Sequence, residues 1–326
     1  MPTASLVSLD DIRAARARLE GVARRTPVLP VSSETGWRHL LVKCENLQAT
    51  GAFKLRGAYN LISQIDPAVR ARGVVTYSSG NHGQAVAWAA ARFSIPAIVV
   101  MPTTAPAVKV EGTRAYGAEV QFAGTTSLHR MAAAEVLQRE RGLTMVPPFD
   151  DARIIAGQGT VGLELLEQMP DVTTVYVPMG GGGLASGVAE AIKASAQQVR
   201  VVGVEPAGAA KMKSSLEAGH PVTLDRTESI ADGLLPVRPG DLTFALVHRY
   251  VDAVVTVEDR QIIDAVLWLE SSVKIVVEPS GAATVAAALA GAGMPGPTVA
   301  IISGGNIDME RLEEFRVEAR ARSAGR

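Results

Sequence analysis

Thr174-Val175-Tyr176-Val177-Pro178-Met179 runs directly into Gly180-Gly181-Gly182-Gly183, and Leu184 to Ala196 then carries helix-forming residues. A short apolar run, a glycine turn and a helix make the handover of a βα unit. The same order recurs on both sides. Leu40–Glu45 reads as a strand before the loop Asn46–Phe53 and a helix over Lys54–Gln64. Gly73–Tyr77 is followed by Ser78-Ser79-Gly80 and a helical run Asn81–Phe93. Ala97–Met101 leads through a proline-containing turn into a helix ending near Tyr116. Glu119–Phe122 precedes a helix across Ser127–Arg141, and Val199–Glu205 and Val299–Ile302 are further apolar strands. Strands alternating with helices of this length predict an α/β fold with a mostly parallel sheet. Right-handed crossovers place helices on both of its faces.

Composition bounds the function. At 326 residues the chain has room for about two domains. Lys+Arg total 32 against 33 for Asp+Glu, a formal net charge of -1, which excludes the basic surplus of a nucleic-acid binder. Apolar residues reach 47% but aromatics only 4%, so the core must rest on aliphatic side chains. The single cysteine, Cys44, can form neither an intramolecular disulfide nor a cysteine zinc site, and a reducing, cytoplasmic compartment is expected. Met1–Ser8 lacks the pattern of a secretory leader, and Ala282–Met294 is too short to span a bilayer, so no membrane partner is expected. Pro221–Gly240, rich in turn formers, reads as a long surface loop, and Arg311–Arg326 as a mostly solvated helix end. Cys44, Trp37, Trp88 and Trp268 read as packing residues; His39, His129, His220 and His248 have no metal-ligand spacing.

Four turns where strands meet helices form the candidate site, because ligands of open α/β sheets bind at the carboxyl ends of strands. In Gly180–Gly183, four glycines expose backbone N–H groups at a helix start, a place suited to a phosphate. The same turn fits a dinucleotide fingerprint, Gly180-x-Gly182-x-x-Ala185 with Glu205 about 20 residues on, which would mean a NAD-dependent oxidoreductase. Ser78-Ser79-Gly80-Asn81-His82-Gly83 crowds more donors into one turn than helix capping needs and suits a small carboxylate. Lys54 follows Thr50-Gly51-Ala52-Phe53, where apolar neighbours would bury its amine and lower its pKa. Ser303-Gly304-Gly305-Asn306 lies directly after an apolar strand.

Together these motifs resemble the serine/threonine dehydratase and serine racemase family, fold type II among pyridoxal-phosphate enzymes. Ala156-Gly157-Gln158-Gly159-Thr160 and Ile230-Ala231-Asp232-Gly233 are similar to further family segments. The likeness covers nearly the whole chain in the family's order, and it favours a phosphate cradle over a dinucleotide site. It implies two open, mostly parallel twisted sheets of the tryptophan synthase β-like kind. Residues 1–68 and 150–326 would form a large domain, and 69–149 a smaller mobile one inserted in it. By resemblance Lys54 would hold pyridoxal 5'-phosphate as an imine, Phe53 and Phe149 would flank the ring, and Asn81 would bond its phenolic oxygen. Gly180, Gly181, Gly182 and Gly183 would bind the phosphate and Ser303 would face the ring nitrogen. Ser78, Ser79, Asn81 and His82 would surround the substrate carboxylate, and Arg130 stands where racemases of the family carry a further carboxylate partner. The resemblance implies loss of water from a β-hydroxy amino acid, giving a 2-oxo acid and ammonia. Lys54 would be the base and the cofactor phosphate the acid for the leaving hydroxyl. Serine racemisation is the neighbouring activity, with Ser79 as the second acid/base, but dehydratases share that serine. Threonine, serine, a bulkier β-hydroxy amino acid such as phenylserine and a hydroxyectoine-derived compound all remain open as substrates. A homodimer is expected. With the chain closing soon after Asn306, no amino-acid-sensing domain and no feedback inhibition are expected.

One departure concerns metal. Relatives that bind Mg²⁺ or Ca²⁺ use a glutamate and an aspartate around the segment beginning at Glu205; here Lys211 stands at the aspartate position. An ammonium repels a cation. Two readings stay open: Lys211 replaces the metal and pairs with Glu205, or it is a solvent-facing lysine at a helix start.

Overall fold

The computed structural model describes residues 7–31, 39–78, 80–105, 107–291 and 296–324. Among them, ten strands form two sheets. β1 (Val28–Pro30), β2 (Leu40–Cys44), β7 (Thr174–Pro178), β8 (Arg200–Pro206), β9 (Ala253–Val257) and β10 (Thr298–Ile302) make a six-stranded sheet in the order β1-β2-β10-β7-β8-β9. All its pairings are parallel except β1 with β2, where Leu29 faces Val42. β3 (Val74–Tyr77), β4 (Ala97–Met101), β5 (Glu119–Phe122) and β6 (Thr144–Met145) make a second, wholly parallel sheet in the order β5-β4-β3-β6.

Every residue of β4 and of β10 is buried, as continuous apolar strands covered on both faces require. On one face of the large sheet the helix Pro279–Ala290 packs with Asp259–Trp268, burying Ile262, Val266 and Val285 against Ala300 and Ile302. On the other face Val188 and Ile192 of the helix Gly183–Ser195 meet Val175, Val177 and Val299. The helix Asn81–Arg92 covers the small sheet, with Val86 and Ala90 packed on Val74 and Val99. Helix ends follow local chemistry. Thr126 Oγ1 accepts from His129 N to start Ser127–Arg141, and Gly142 ends that helix in the left-handed region (φ 63°).

The seven expected strands appear with ends within one residue, whereas β1, β6 and β9 escaped the sequence reading. One expectation needs correction. Pro221–Gly240 is largely irregular but is not merely a surface loop: Ala231 and Leu234 are buried, and its inner side lines a cavity. The basic tail belongs to the helix Met309–Ala324 and is mostly exposed, with Leu312 and Phe315, each only 1% exposed, anchoring it to the core. No helix among the described residues is long and apolar enough to cross a membrane. Cys44 is fully buried, and burial pushes its thiol to about 12, in keeping with a packing role. Trp88 packs beside Tyr59, Trp268 packs against the core of the large sheet, and Trp37 lies outside the described residues.

Candidate active site

The ends of β3, β7 and β10 open on one cavity of about 530 Å³, lined from both sheets. Lys54 enters it from the start of the helix Leu55–Ser63. The chain before it is pinned to the end of β10: Ala52 bridges Gly304, and Phe53 N donates to Ser303 O at 3.1 Å. Lys54 Nζ donates to Pro148 O at 2.7 Å and lies 5.2 Å from the centre of the Phe53 ring. No carboxylate pairs with it among the described residues. With nothing to hold the charge, burial brings the ammonium pKa from 10.5 down to about 8.

The tetraglycine turn faces Lys54 across this cavity, and each of its residues has a steric reason to be glycine. Gly182 sits at φ 99°. A Cβ on Gly180 would stand 2.9 Å from Gly233 O, one on Gly183 3.0 Å from Phe149 Cβ, and one on Gly181 would collide with the Phe149 ring. Thr243 Oγ1 donates to Gly181 O at 2.7 Å and steadies the turn. The helix starting at Gly183 brings uncommitted N–H groups and its positive dipole end to the same wall.

At the end of β3, Ser78 Oγ accepts from Gly80 N at 3.0 Å. Ser79 lies outside the described residues. Asn81 and His82 open the next helix, and both line the cavity. His82 Nε2 bonds Val146 O at 3.0 Å while Nδ1 is buried without a partner among the described residues. Burial first, and the Lys54 charge second, hold the imidazole neutral with a pKa of about 3. The bond to Val146 therefore carries the ring proton on Nε2, leaving Nδ1 an acceptor. Arg130 also lines the cavity. Its Nη1 donates to Thr125 O at 3.2 Å, its Nε has no partner, and no carboxylate neutralises it among the described residues. Ser303, 4% exposed, donates only a long 3.4 Å bond to Ser280 O.

The structure thus brings Phe53, Lys54, Ser78, Asn81, His82, Arg130, Phe149, Gly180–Gly183 and Ser303 onto one cavity. Glu278, Lys109 and the contacts of Asn306 were missed by sequence reasoning. Lys109 Nζ pairs with Asp232 and lies 3.6 Å from Glu278 Oε2, while Glu278 also accepts from Asn81 Nδ2. Glu278 did carry a signal: it stands just before Pro279, at the N-cap of an apolar helix, although its carboxylate makes no capping bond there and turns to Asn81 and Lys109.

Beneath the glycine turn, Lys211 is fully buried, which removes the solvent-facing alternative. Its Nζ lies 3.0 Å from Glu205 Oε1 and donates to Met179 O (2.9 Å), Ala209 O (3.1 Å) and Leu234 O (2.9 Å). Both Glu205 oxygens also accept backbone N–H groups, from Met212 and Lys213, each at 2.9 Å. A carboxylate so engaged has no exposed edge for a ribose hydroxyl, and the dinucleotide reading loses its acidic residue.

The family model described as pyridoxal-phosphate dependent enzyme matches residues 19–304. An L-threonine ammonia-lyase of Thermotoga maritima is 45% identical over 313 residues, 95% of this chain and 78% of that protein. A serine racemase of Oryza sativa is 42% identical over 315 residues, 94% of this chain and 93% of that protein. The solved structure of maize serine racemase superposes with a TM-score of 0.90 at 40% identity, covering 98% of this chain and 99% of the other. With a match along most of its length and the two-sheet fold in common, the chain belongs to the pyridoxal-phosphate dependent enzyme family.

Proposed function

We propose that this enzyme is a pyridoxal-phosphate-dependent ammonia-lyase. It removes water from a β-hydroxy amino acid such as L-threonine or L-serine and releases a 2-oxo acid and ammonia. The observation that carries the reading is the Lys54 amine: it lies in the cavity, lacks a counter-ion among the described residues, and has a pKa of about 8. The cavity wall fits the cofactor, because the glycine turn lines the cavity with bare backbone, packed too closely on Gly233, Phe149 and Thr243 to carry a Cβ, and it sits at a helix N-terminus. When bound, pyridoxal phosphate supplies an electron sink for the charge that forms at the substrate Cα.

The protein's own groups divide the remaining work. Gly180–Gly183 hold phosphate through backbone N–H groups, Phe53 and Phe149 bound the ring site, and Asn81 offers an N–H to the phenolic oxygen. Ser78, Ser79 and the backbone N–H of Asn81 receive the substrate carboxylate beside neutral His82, and Arg130 supplies an uncommitted positive charge. Lys54 Nζ takes the proton from Cα; a free amine is abundant there near neutral pH because of its lowered pKa. Ser303 places a neutral hydroxyl at the ring nitrogen, which disfavours storing the carbanion and favours prompt departure of the β-hydroxyl. That hydroxyl leaves as water, and one water returns in the hydrolysis to 2-oxo acid and ammonia.

Racemisation is the second reading, supported by the 42% identity to a serine racemase. It requires a proton donor opposite Lys54, and Ser79 is the candidate. Residues 69–149 form, in this proposal, a smaller domain that closes over substrate, since Asn81 and Arg130 approach from its side and the glycine turn from the other. We also propose a cytoplasmic homodimer, which light scattering would test. The deciding experiment measures 2-oxo acid and D-amino acid together over a panel of β-hydroxy amino acids, with borohydride trapping of the cofactor. The expected result is 2-oxo acid in excess and label on Lys54. Failure to bind pyridoxal phosphate, or full turnover by Lys54→Ala, would overturn the reading.

A further inference from the structure

Asn81 has one acceptor and two N–H donors on its side chain. Its neighbours use them in a fixed order. Thr50 O, an acceptor only, takes one N–H of Asn306 Nδ2 at 2.9 Å. The other N–H of Asn306 Nδ2 is then directed to Asn81 Oδ1, also at 2.9 Å. On the far side Asn81 Nδ2 donates to Glu278 Oε1. The backbone carbonyl therefore sets the polarity of the whole chain, and among the described residues Asn81 is left with one uncommitted N–H while lining the cavity.

Glu278 is 1% exposed, and two charged groups face it. Lys109, from the helix Ala107–Ala115, lies 3.6 Å from Oε2; Asp232, the first residue of the short turn Asp232–Leu234, shares the same ammonium. Lys109 is itself buried and reaches this carboxyl from the small-sheet side. Were Glu278 protonated, its O–H could donate instead of accept, and Asn306 alone would hold the orientation of the Asn81 amide.

We infer that Glu278, accepting from Asn81 on one side while Asn306 donates to Asn81 on the other, is a positioning residue that orients the Asn81 amide so that an N–H, and not its carbonyl, meets the phenolic oxygen of the cofactor. The inference rests on the proposed role of Asn81 and goes beyond it. Glu278 does its work at one remove, through Asn81. Burial raises its pKa to about 7, with Asp232 adding to the rise and Lys109 opposing it, so its charge is set within the working pH range.

The test uses full-length protein, prepared with and without pyridoxal phosphate. Glu278→Ala should weaken binding of pyridoxal phosphate by the apo-protein about tenfold, the scale of one lost charged hydrogen bond. It should also shift the balance between the two tautomer absorbance bands of the bound cofactor. Glu278→Gln should restore both, because its amide carbonyl still accepts from Asn81. Asn306→Asp, which turns the opposing donor into an acceptor, should shift the bands furthest. A purely structural strut would lower the melting temperature in Glu278→Ala yet leave affinity and bands at wild-type values, and that result overturns the inference. If Glu278→Ala does not fold, titration of the wild-type holoenzyme decides: the band balance should change in a one-proton step at about pH 7, moved upward by Lys109→Met. No such step, or no movement, overturns it. Wild-type protein that never binds the cofactor at Lys54 refutes the proposed function instead, so the two failures are distinguishable.

Discussion

Replacing Lys211 with alanine should unsettle the glycine turn from below and create a cation requirement that the wild type lacks. The ammonium meets Glu205 Oε1 at 3.0 Å and three backbone carbonyls at 2.9–3.1 Å, with both side chains of the pair fully buried. Burial pulls the Lys211 pKa down, and the Glu205 carboxylate pulls it back. Removing one partner of a buried pair typically costs about 3–5 kcal/mol, because the other charge stays behind. Here Glu205 keeps two backbone donors, from Met212 and Lys213, so the lower end applies, about 3 kcal/mol. Unfolding entropy near 2.1 cal/mol/K per residue, over 326 residues, converts that into a fall in Tm of about 4–5 °C.

The alanine variant also leaves four oxygens around one vacated point: a carboxylate and the carbonyls of Met179, Ala209 and Leu234. Oxygen ligands are what Ca²⁺ and Mg²⁺ take, and Ca²⁺ tolerates the longer, less regular set. Differential scanning calorimetry with and without millimolar Ca²⁺ should show recovery of most of the lost Tm in Lys211→Ala. Lys211→Met, which fills the space without a charge, should be destabilised and not recover. Because Met179 leads into the glycine turn, Lys211→Ala should also bind pyridoxal phosphate more weakly until Ca²⁺ is added. A wild-type enzyme silenced by EDTA, or a Lys211→Ala variant as stable as wild type without added cation, would refute the assignment of this lysine as a built-in cation.

The depressed Lys54 pKa sets how pH governs cofactor capture. Only the free amine attacks an aldehyde, so the rate at which apo-protein takes up pyridoxal phosphate should rise with pH through about 8 and not through 10.5, measured by stopped-flow absorbance. His82 should limit acid stability. Its folded pKa of about 3 lies below the ordinary 6.5, so between these values the unfolded chain binds a proton that the folded one refuses. Stability from this group is therefore complete above pH 6.5 and falls as pH drops, and His82→Gln, which can keep an N–H on Val146 O, should flatten that limb in urea titrations. Arg130→Met should raise the KM for the amino acid about ten- to hundredfold, the scale of a lost charged hydrogen bond, with a smaller change in kcat.

Strands such as β4 and β10 were legible because all of Ala97–Met101 and all of Val299–Ile302 are apolar and a turn follows at once. β6 has two residues and β1 three, the latter ending at Pro30, and neither is long enough for a periodicity to emerge. The helix Ala152–Gln168 was hidden by its own packing. Gly157, Gly159 and Gly162 lower helix propensity, yet a Cβ at Gly157 would stand 2.7 Å from Arg56 O, so glycine is what lets this helix lie against the one carrying Lys54. In the site, the turns announced themselves because chemistry clusters locally after strands. The loop Pro221–Gly240 looked solvent-bound because few of its residues are buried, Ala231 and Leu234 among them, and its backbone is irregular.

What escaped was long-range pairing of charge, and that pairing gives the cavity its character. Asn81 and Glu278 are 197 positions apart, and Lys109 and Asp232 are 123 apart. No local pattern around Glu278 points to Asn81 or to Lys109 as its neighbours. Once the pairs are drawn, the acids deep in the site are answered: Glu278 by Lys109, and Glu205 by Lys211 and two backbone donors. Lys54 and Arg130 are left on the cavity wall without carboxylate partners among the described residues, next to the positive end of the helix Gly183–Ser195. An excess of uncommitted positive charge around a neutral histidine and a neutral serine attracts ligands bearing phosphate and carboxylate. The same lack of a counter-ion lowers the Lys54 pKa, so attraction of the anions and activation of the amine have one electrostatic origin. A carboxylate placed beside Lys54 would raise that pKa and remove both properties together.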